Sequence, residues 1–506
     1  MENIPQIKVS SEIGTLRRLL IHSPDGGIGK VVPSKFKEWL YDDTVHLAQM
    51  RREYNEYVKL LLYFLDPGKI PHIRECETKQ VHKKQPDCYK PDKPEYFNSD
   101  KVLDTQYLLS QILKQDDIRQ RIISAVCAWE GCSFATERKL ETIENPNELA
   151  KVLISGVMYT QDGKGNEFVF APLTNFIFTR DIGITINDHL LLSNAASKAR
   201  ERESLLMKFI SYYYLFRGSE DKLIEISETN DFFLLEEDEQ VEFKTTVEGG
   251  DVMMIAPNHL LIGCSERTTP SAIDEIIHAI YKKSRTGIEK ISVVKIPRQR
   301  AIMHIDTVFT QVRKDTWVLF GKLSERVMKN KNEQQYPYYL HLIGKDDLPD
   351  YEKVEILRFY KPISENYEAS KNYLLENNGK IAGLESLLRS ISTEDFGVRE
   401  NDVSFIYSGN NVFPYDEREQ WTDACNLLAL KDGVVVGYDR NEETFKGFLE
   451  KGFSIIKVSE LLKKFDSGEL SPAEVENTLI VLSSAELSRA RGGAHCMSMP
   501  LLRDSI

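Results

Sequence analysis

The 506-residue chain has no apolar run approaching 18 residues, the length that a transmembrane helix needs. The segment from Met1 to Ile13 lacks the charged stretch and following apolar stretch of a secretory signal peptide. Basic residues are fewer than acidic ones: the chain has 65 Lys and Arg and 78 Asp and Glu, which gives a formal net charge of −13. We therefore expect no membrane partner and no nucleic-acid partner, whereas a cationic small substrate stays compatible with the charge.

Cysteine is scarce, and its seven copies follow no regular spacing. An odd number with irregular spacing argues against a disulfide framework and favours a reducing compartment, so we expect a cytoplasmic protein. The closest pair is Cys127 and Cys132, and no second pair or histidine stands near it at the spacing of zinc ligands. We therefore expect no metal site.

A repeated unit of strand, tight turn and strand is abundant instead. Four segment pairs carry turn residues between two strand-like runs: 182–186 with 190–193, 252–255 with 260–264, 305–312 with 316–320, and 426–430 with 434–438. Amphipathic helices follow at 197–216, 270–282 and 441–451, and short strands then follow at 223–226, 291–296 and 454–458. This recurrence predicts a closed, pseudo-symmetric α/β assembly, and the many hairpins disfavour a doubly wound parallel sheet.

Three regions interrupt the repeat. Residues 76–97 are rich in Lys, Pro and Asp and indicate a surface loop. Residues 104–155 have helical rather than strand patterning, which predicts a helical insertion that we bound at 101–160. Residues 464–484 indicate a further helical excursion before the last strand.

Four polar clusters stand at predicted strand ends: Asn175–Asp181, Glu248–Asp251, Met303–Asp306 and Arg491–Cys496. Strand alternation would put Asn175, Thr179 and Asp181 on one face, and His304 and Asp306 on another. Each cluster alone has an ordinary structural explanation, such as an Asx turn, a glycine loop, a structural histidine or a small buried thiol.

Together the clusters favour a cysteine nucleophile with a histidine and orienting acids. Carboxylates beyond the histidine's partner indicate a cationic substrate group, and a planar guanidinium is the cation that paired carboxylates bind best. The residues themselves thus predict a cysteine enzyme that acts on a cationic, guanidino-type compound.

Ten motifs in one order carry a family resemblance. They are SEIGTLRRLLIHSP, LYDD, PLTNFIFTRD, RERE, VEGGDV, SERT, MHIDTVF, EREQW, GVVVGYDRN and RGGAHCMSMPLLRD. By these motifs the chain resembles the arginine deiminases of the guanidino-group-modifying superfamily. The resemblance implies one catalytic unit over residues 1–506, a propeller of five ββαβ blades with an inserted helical subdomain. It also implies hydrolysis of L-arginine to L-citrulline and ammonia, no cofactor, and a homo-oligomer.

The resemblance also assigns catalytic roles. Cys496 matches the nucleophile, His304 the general acid and base, and Glu248 the acid that supports this histidine. Asp181 and Asp306 match the carboxylates that hold the guanidinium.

Six further positions match substrate-binding residues of the family. Arg200 and Arg267 match the arginines for the substrate carboxylate, Asn175 and Phe178 line the same pocket, Arg491 lies on a mobile loop at the entrance, and Leu40 offers a backbone carbonyl to the amino group. Arg202 competes with Arg200 within one motif. We prefer Arg200, because its separation from Asp181 equals that of Arg267 from Glu248.

Alternatives stay open at this point. An amidinotransferase or a hydrolase of a modified arginine would share the same core, and a non-catalytic arginine-binding module is the alternative outside enzymes. Protein citrullination is disfavoured, since no DxDxDG-type calcium loop is present. The chain departs from compact family members by extra length at 76–100, 334–367 and 464–484, and by Ala490 where glycine is frequent.

Overall fold

Short strands and helices alternate along the chain. The structure is a computed structural model that describes residues 6–83, 85–159, 166–228, 232–283, 285–335, 354–361 and 381–506. Its strands are β1 (Leu16–Ile21), β2 (Val102–Asp104), β3 (Val157–Tyr159), β4 (Asn166–Phe168), β5 (Gly183–Ile186), β6 (His189–Leu192), β7 (Leu223–Ile224), β8 (Val252–Ala256), β9 (His259–Cys264), β10 (Lys290–Lys295), β11 (Phe309–Arg313), β12 (Thr316–Leu319), β13 (Glu355–Tyr360), β14 (Ser404–Tyr407), β15 (Leu428–Lys431), β16 (Val434–Tyr438), β17 (Ser454–Lys457), β18 (Thr478–Leu482) and β19 (Met499–Arg503).

The α-helices pack around these strands. They are α1 (Phe36–Trp39), α2 (Leu47–Leu65), α3 (Ile70–Lys79), α4 (Thr105–Ile112), α5 (Asp116–Trp129), α6 (Phe134–Glu141), α7 (Pro146–Ser155), α8 (Lys198–Ile210), α9 (Glu237–Phe243), α10 (Pro270–His278), α11 (Glu325–Gln335), α12 (Leu384–Glu394), α13 (Tyr415–Trp421), α14 (Glu442–Glu450) and α15 (Val458–Ser467). None of the helices in the described ranges combines the length and apolarity needed to cross a bilayer.

Within the described residues, five mixed sheets share one strand pattern. In each, an antiparallel pair is followed by a strand parallel to its second member: β5–β6–β7, β8–β9–β10, β11–β12–β14, β15–β16–β18 and β19–β1–β2. The fifth sheet pairs strands from opposite ends of the described chain. The architecture is therefore a mixed α/β fold built from a repeated unit.

Local turn chemistry explains the four predicted hairpins, which all form. Asn187 between β5 and β6 has φ 49°, and Gly433 between β15 and β16 has φ 75°. Asn and Gly accept this left-handed conformation at low energetic cost. The paired strands are buried on both faces, so their apolar runs form the core that helices cover.

Two predicted strands are wrong at the functionally important positions. Ile305–Thr307 forms a 3₁₀ turn, and β11 begins only at Phe309. The segment Asn175–Asp181 consists of turns rather than a strand. The faces inferred from strand alternation for these two clusters are therefore wrong.

The two predicted surface excursions also differ from expectation. Residues 76–97 were expected on the surface, yet Cys88, Tyr89, Tyr96 and Phe97 are buried in a cluster with α2 and α3. Residues 464–484 were expected to be helical, yet α15 ends at Ser467 and Thr478–Leu482 forms β18 in the interior of its sheet. The strand predicted at 454–458 is the edge strand β17 beside it.

Helices α4 to α7 fill the interval between β2 and β3. Helices α4 and α5 pack against α8, α6 packs on α5, and α7 packs on α4. The extra length predicted at 334–367 falls mostly outside the described residues, which resume at 354. The described part contains β13, which extends the β10 edge in antiparallel register.

Candidate active site

The polar clusters converge because each precedes the first strand of an antiparallel pair. Asp181, Asp251, Asp306, Asn426 and Cys496 stand one to three residues before β5, β8, β11, β15 and β19, respectively. Equivalent ends of five related sheets thus each contribute one polar side chain. All five residues are buried.

Cys496 is held by two polar neighbours. Asn426 Nδ2 donates to its sulfur at 3.1 Å, and the Asn426 Oδ1 accepts from its backbone N–H at 3.0 Å. The sulfur also lies 3.4 Å from Asp306 Oδ2. Burial raises the pKa of the Cys496 thiol well above its ordinary value, and the nearby charges of Asp306 and Asp181 raise it further. A thiol in this environment needs a nearby cation to become a thiolate.

His304 lies between two carboxylates. Its Nε2 is 3.0 Å from Glu248 Oε2, and its Nδ1 is 3.8 Å from Asp181 Oδ1. Burial opposes a charge on the ring, but these acids outweigh it and raise the pKa of His304 to about 10. A Cβ at Gly250 would stand 2.7 Å from His304 Nδ1, so glycine is needed for this close approach. At neutral pH the ring is therefore a proton donor.

Arg200 occupies the centre of the acidic cluster. Its Nη1 donates to Asp181 Oδ2 at 2.5 Å and to Glu248 Oε2 at 3.4 Å, and its Nε donates to Glu203 Oε2 at 2.9 Å. Arg202 points elsewhere, with bonds to Glu130 and the backbone and its guanidinium over the Phe170 ring. The structure therefore brings Arg200, and not Arg202, to the candidate site.

Asp181 and Asp306 each keep one oxygen unused. Asp181 Oδ1 and Asp306 Oδ1 are buried, and neither has a hydrogen-bond partner among the described residues. The other oxygen of Asp306 accepts from His495 Nδ1 at 2.9 Å. Burial disfavours the carboxylate, but the His495 hydrogen bond and charge hold the pKa of Asp306 below its ordinary value. Each of these two buried carboxyl groups thus has an oxygen free to accept a further hydrogen bond.

Arg491 stacks on an aromatic ring. The Arg491 guanidinium carbon lies 3.6 Å from the centroid of the Trp421 ring, and Nη2 donates to Ala301 O at 3.0 Å. Its Nε and Nη1 are buried without a hydrogen-bond partner among the described residues. Arg267 is also buried, and its Nη1 lies 3.9 Å from Glu248 Oε1.

The remaining predicted residues line the neighbouring wall. Asn175 Nδ2 donates to Trp39 O at 2.9 Å, and Phe178 packs against Gly492, where a Cβ would stand 2.4 Å from the ring. Leu40 has φ 59°, and its carbonyl accepts from Arg300 Nη2 at 3.3 Å. The Leu40 carbonyl predicted to meet a substrate amino group therefore has a protein donor in this structure.

Asp181, Glu248 and His304 could offer metal ligands, since their donor atoms lie within 4.8 Å of one another. Arg200 already donates to both carboxylates of this trio. A guanidinium at that position repels a second cation. The donor set therefore suits an arginine better than a metal ion.

Sequence reasoning missed Asn426, Glu203 and His495. Asn426 could have been found from the repeat, because it precedes β15 at the same offset as Asp181 precedes β5. Glu203 stands in the same motif as Arg200, one turn along α8, where an i,i+3 ion pair is expected. No local signal marks His495.

Comparisons of sequence and structure relate the chain to known proteins. A sequence model of the arginine deiminase family matches residues 137–503. The arginine deiminase of Streptococcus pneumoniae (strain P1031) is 26% identical over 505 residues, covering 99% of each chain. An amidinotransferase of Microseira wollei from saxitoxin biosynthesis has 12% identity and a TM-score of 0.44, covering 99% of this chain and 98% of that one. Dimethylarginine dimethylaminohydrolase from Pseudomonas aeruginosa has 13% identity and a TM-score of 0.34, covering 65% and 77%. Because the family model matches well over half of the sequence, the chain belongs to the arginine deiminase family.

Proposed function

We propose that this hydrolase converts L-arginine to L-citrulline and ammonia through a thiouronium intermediate on Cys496. The observation that carries the proposal is a pair of buried oxygens without a hydrogen-bond partner among the described residues, Asp181 Oδ1 and Asp306 Oδ1, on the two carboxylates whose charges act on the Cys496 thiol. A guanidinium has five N–H donors in one plane, so it suits acceptors on two sides. Binding of such a cation would lower the pKa of the thiol and favour the thiolate.

The other end of the substrate needs donors for a carboxylate. Arg267 Nε and two nitrogens of Arg491 have no hydrogen-bond partner among the described residues. Arg200 is engaged by three acids, so we assign it the holding of Asp181 and Glu248 in addition to the carboxylate role implied by the resemblance. Asn175, Phe178 and Leu40 complete the proposed pocket.

The chemistry follows from these positions. The Cys496 thiolate attacks the guanidinium carbon to form a tetrahedral adduct. Protonated His304 gives a proton to one nitrogen of the adduct, the bond from carbon to that nitrogen breaks, and ammonia leaves. The now neutral His304 takes a proton from water as the water attacks the thiouronium carbon. The bond from carbon to sulfur then breaks, the hydroxyl proton of the adduct passes to solvent, and citrulline and the Cys496 thiolate are released. A positioned proton donor of this kind contributes roughly 10²–10⁴-fold to the rate.

We further propose that the five sheets are the blades of a closed propeller, with residues 101–160 as an insertion into it. Contacts between β19 and β5, β5 and β8, β11 and β15, and β15 and β1 support closure. The seven cysteines are all free, which supports a cytoplasmic setting. The expected homo-oligomer stays a prediction that a light-scattering mass measurement would test.

The test is a product assay with L-arginine. Citrulline and ammonia should form in equal amounts, and Cys496→Ala should abolish both, whereas Cys132→Ala, a partly exposed thiol elsewhere, should not. Ornithine formed only with an amine acceptor would indicate an amidinotransferase instead. Turnover of a modified arginine alone would indicate the related hydrolases, and binding without turnover would indicate an arginine-binding module.

A further inference from the structure

A second polar pocket lies at the junction of residues 85–93 with α2, α4 and α7. Its volume is about 260 Å³, and its lining shares no residue with the candidate active site. Five cationic side chains line it: Lys30, Arg51, Lys90, Lys93 and Lys151. Only two acids do so, in a chain whose formal net charge is −13. A local excess of positive charge on an acidic protein is the signature of an anion site.

Both acids of the lining already have partners. Asp25 Oδ1 accepts from the Gly27 N–H at 2.6 Å, and its Oδ2 lies 3.3 Å from His22 Nε2. Asp92 accepts from Lys151 Nζ, a lining cation, at 2.5 Å.

The lysines of the loop also have acidic neighbours. Lys93 Nζ lies 3.6 Å from Asp92 Oδ2, and Lys90 Nζ donates to Asp87 Oδ1 at 2.8 Å. The five lining cations still outnumber Asp25, Asp87 and Asp92, so the pocket keeps an excess of positive charge.

The Arg51 guanidinium has hydrogen-bond donors that no described residue uses. Its Nε donates to Pro24 O at 2.9 Å, and no hydrogen bond joins its two terminal nitrogens to the described residues. Lys30 stands beside it, and burial, together with the Arg51 charge, lowers the pKa of Lys30 despite Asp25. An anion between these two groups would relieve their repulsion.

Neutral donors complete the lining. The buried side-chain amides of Gln85 and Gln106 face the pocket, and no hydrogen bond joins either amide to the described residues. The donors thus come from loop residues and from three helices, and they surround a compact space. A planar carboxylate accepts within one plane, whereas a phosphate accepts in three dimensions, which suits donors on several sides.

We propose that this pocket binds a small phosphate-bearing anion. The size of the pocket limits the ligand to a compact molecule, because it lies below the usual range for drug-sized ligands. The lining shares no residue with the candidate active site, so the proposed anion site does not depend on the proposed arginine reaction.

Inorganic pyrophosphate is the probe, titrated calorimetrically into the full chain at low salt. We expect saturable binding that weakens as salt rises, since exposed charges are screened. The double variant Lys90→Gln/Lys93→Gln should raise the Kd at least roughly 10-fold, as should Arg51→Gln. Lys114→Gln removes one charge from an exposed position of the same helical region and should leave the Kd unchanged.

Any of three results would overturn the proposal: the wild type does not bind pyrophosphate, all variants bind it equally well, or citrate binds more tightly than pyrophosphate. The Tm of Arg51→Gln shows whether this variant is folded. If it is not, the Lys90→Gln/Lys93→Gln variant still tests the site, because these two lysines are less buried. Saturating L-arginine on Cys496→Ala should not change the Kd, and competition would assign the anion to the candidate active site instead.

Discussion

The Asn426 side chain bonds Cys496 through both of its polar atoms: its amide nitrogen lies 3.1 Å from the sulfur, and its amide oxygen lies 3.0 Å from the backbone nitrogen. The same oxygen accepts from the Gly493 N–H at 3.0 Å. One side chain therefore fixes the loop that carries Cys496, the proposed nucleophile, and donates to its sulfur. The hydrogen bond from the Asn426 side-chain N–H to the sulfur stabilises the thiolate form of Cys496 relative to the thiol.

Replacing Asn426 by Ala should lower kcat by roughly 10- to 100-fold, because a hydrogen bond to a charged group contributes about 1.5–3 kcal/mol. Steady-state kinetics with L-arginine would measure the loss. Asn147→Ala, on α7, is the control and should keep full activity. An Asn426→Ala enzyme with normal kcat would remove Asn426 from the site.

The charge of Asp306 should control the reactivity of Cys496. Burial and the adjacent carboxylates raise the pKa of this thiol. Asp306→Asn removes one of these charges at 3.4 Å from the sulfur, so it should lower the pKa of the Cys496 thiol. The pH profile of iodoacetamide alkylation, with Cys496→Ala as the blank, measures this. The variant should thus alkylate faster near neutral pH while losing turnover, and slower alkylation would contradict the electrostatic account.

Arg200 and Arg202 form a matched pair on one helix. Arg200→Gln removes the cation that Asp181, Glu203 and Glu248 share, so kcat should fall at least roughly 10²-fold. Arg202→Gln loses its Glu130 and Phe170 contacts and should lower the Tm, with kcat/KM within about 3-fold of wild type. If the two variants exchanged these phenotypes, the assignment of Arg200 would be wrong.

Stability should depend on pH through His304. The pKa of this histidine is raised to about 10 in the folded chain, against about 6.5 in an unfolded one. Its charged form therefore stabilises the fold fully below pH 6.5, and this contribution disappears as the pH rises to 10. The difference in unfolding free energy between wild type and His304→Gln should fall by about 1.4 kcal/mol per pH unit in this window. Urea titrations at several pH values measure the difference, and a difference that grows with pH would refute the assignment.

Trp421 should act through Arg491. Removing the ring in Trp421→Leu frees the guanidinium, and a cation–π contact contributes about 0.5–2 kcal/mol. We expect KM to rise roughly 2- to 30-fold with a smaller change in kcat. Trp421→Phe should retain part of the effect, and Trp129→Leu, an exposed tryptophan on α5, should have none. A change in kcat alone would mean that Arg491 does not hold substrate.

The sequence predicted the hairpins well, because their turn residues and buried runs are local signals. It failed where a polar segment before a strand turns instead of extending, as at Ile305–Thr307. The expectation for residues 76–97 was also wrong. Their many lysines and prolines indicated a surface loop, although Tyr89 and Phe97 within this segment are buried. In residues 464–484 the strand Thr478–Leu482 was missed, since a neighbouring helix pattern dominated the interpretation.

The candidate site was predictable in its chemistry but not in its connections. The thiol, the histidine and the acids stand in short motifs, so their types suggested a guanidino substrate. The engagement of Arg200 by Glu203 and the bond from Asn426 to Cys496 depend on how separate sheets meet. The hydrophobic periodicity of a single segment cannot predict contacts between residues of different sheets.

The pairing of β1 with β19 has a consequence for synthesis. Strand β1 is synthesised before β19, the strand that completes its antiparallel pair, and almost every other strand is made in between. Cys496 stands just before β19, so a nascent chain holds the acids and His304 long before it holds the proposed nucleophile. A nascent chain that has not reached β19 therefore lacks both the fifth sheet and the proposed nucleophile, and synthesis of one segment supplies the two together.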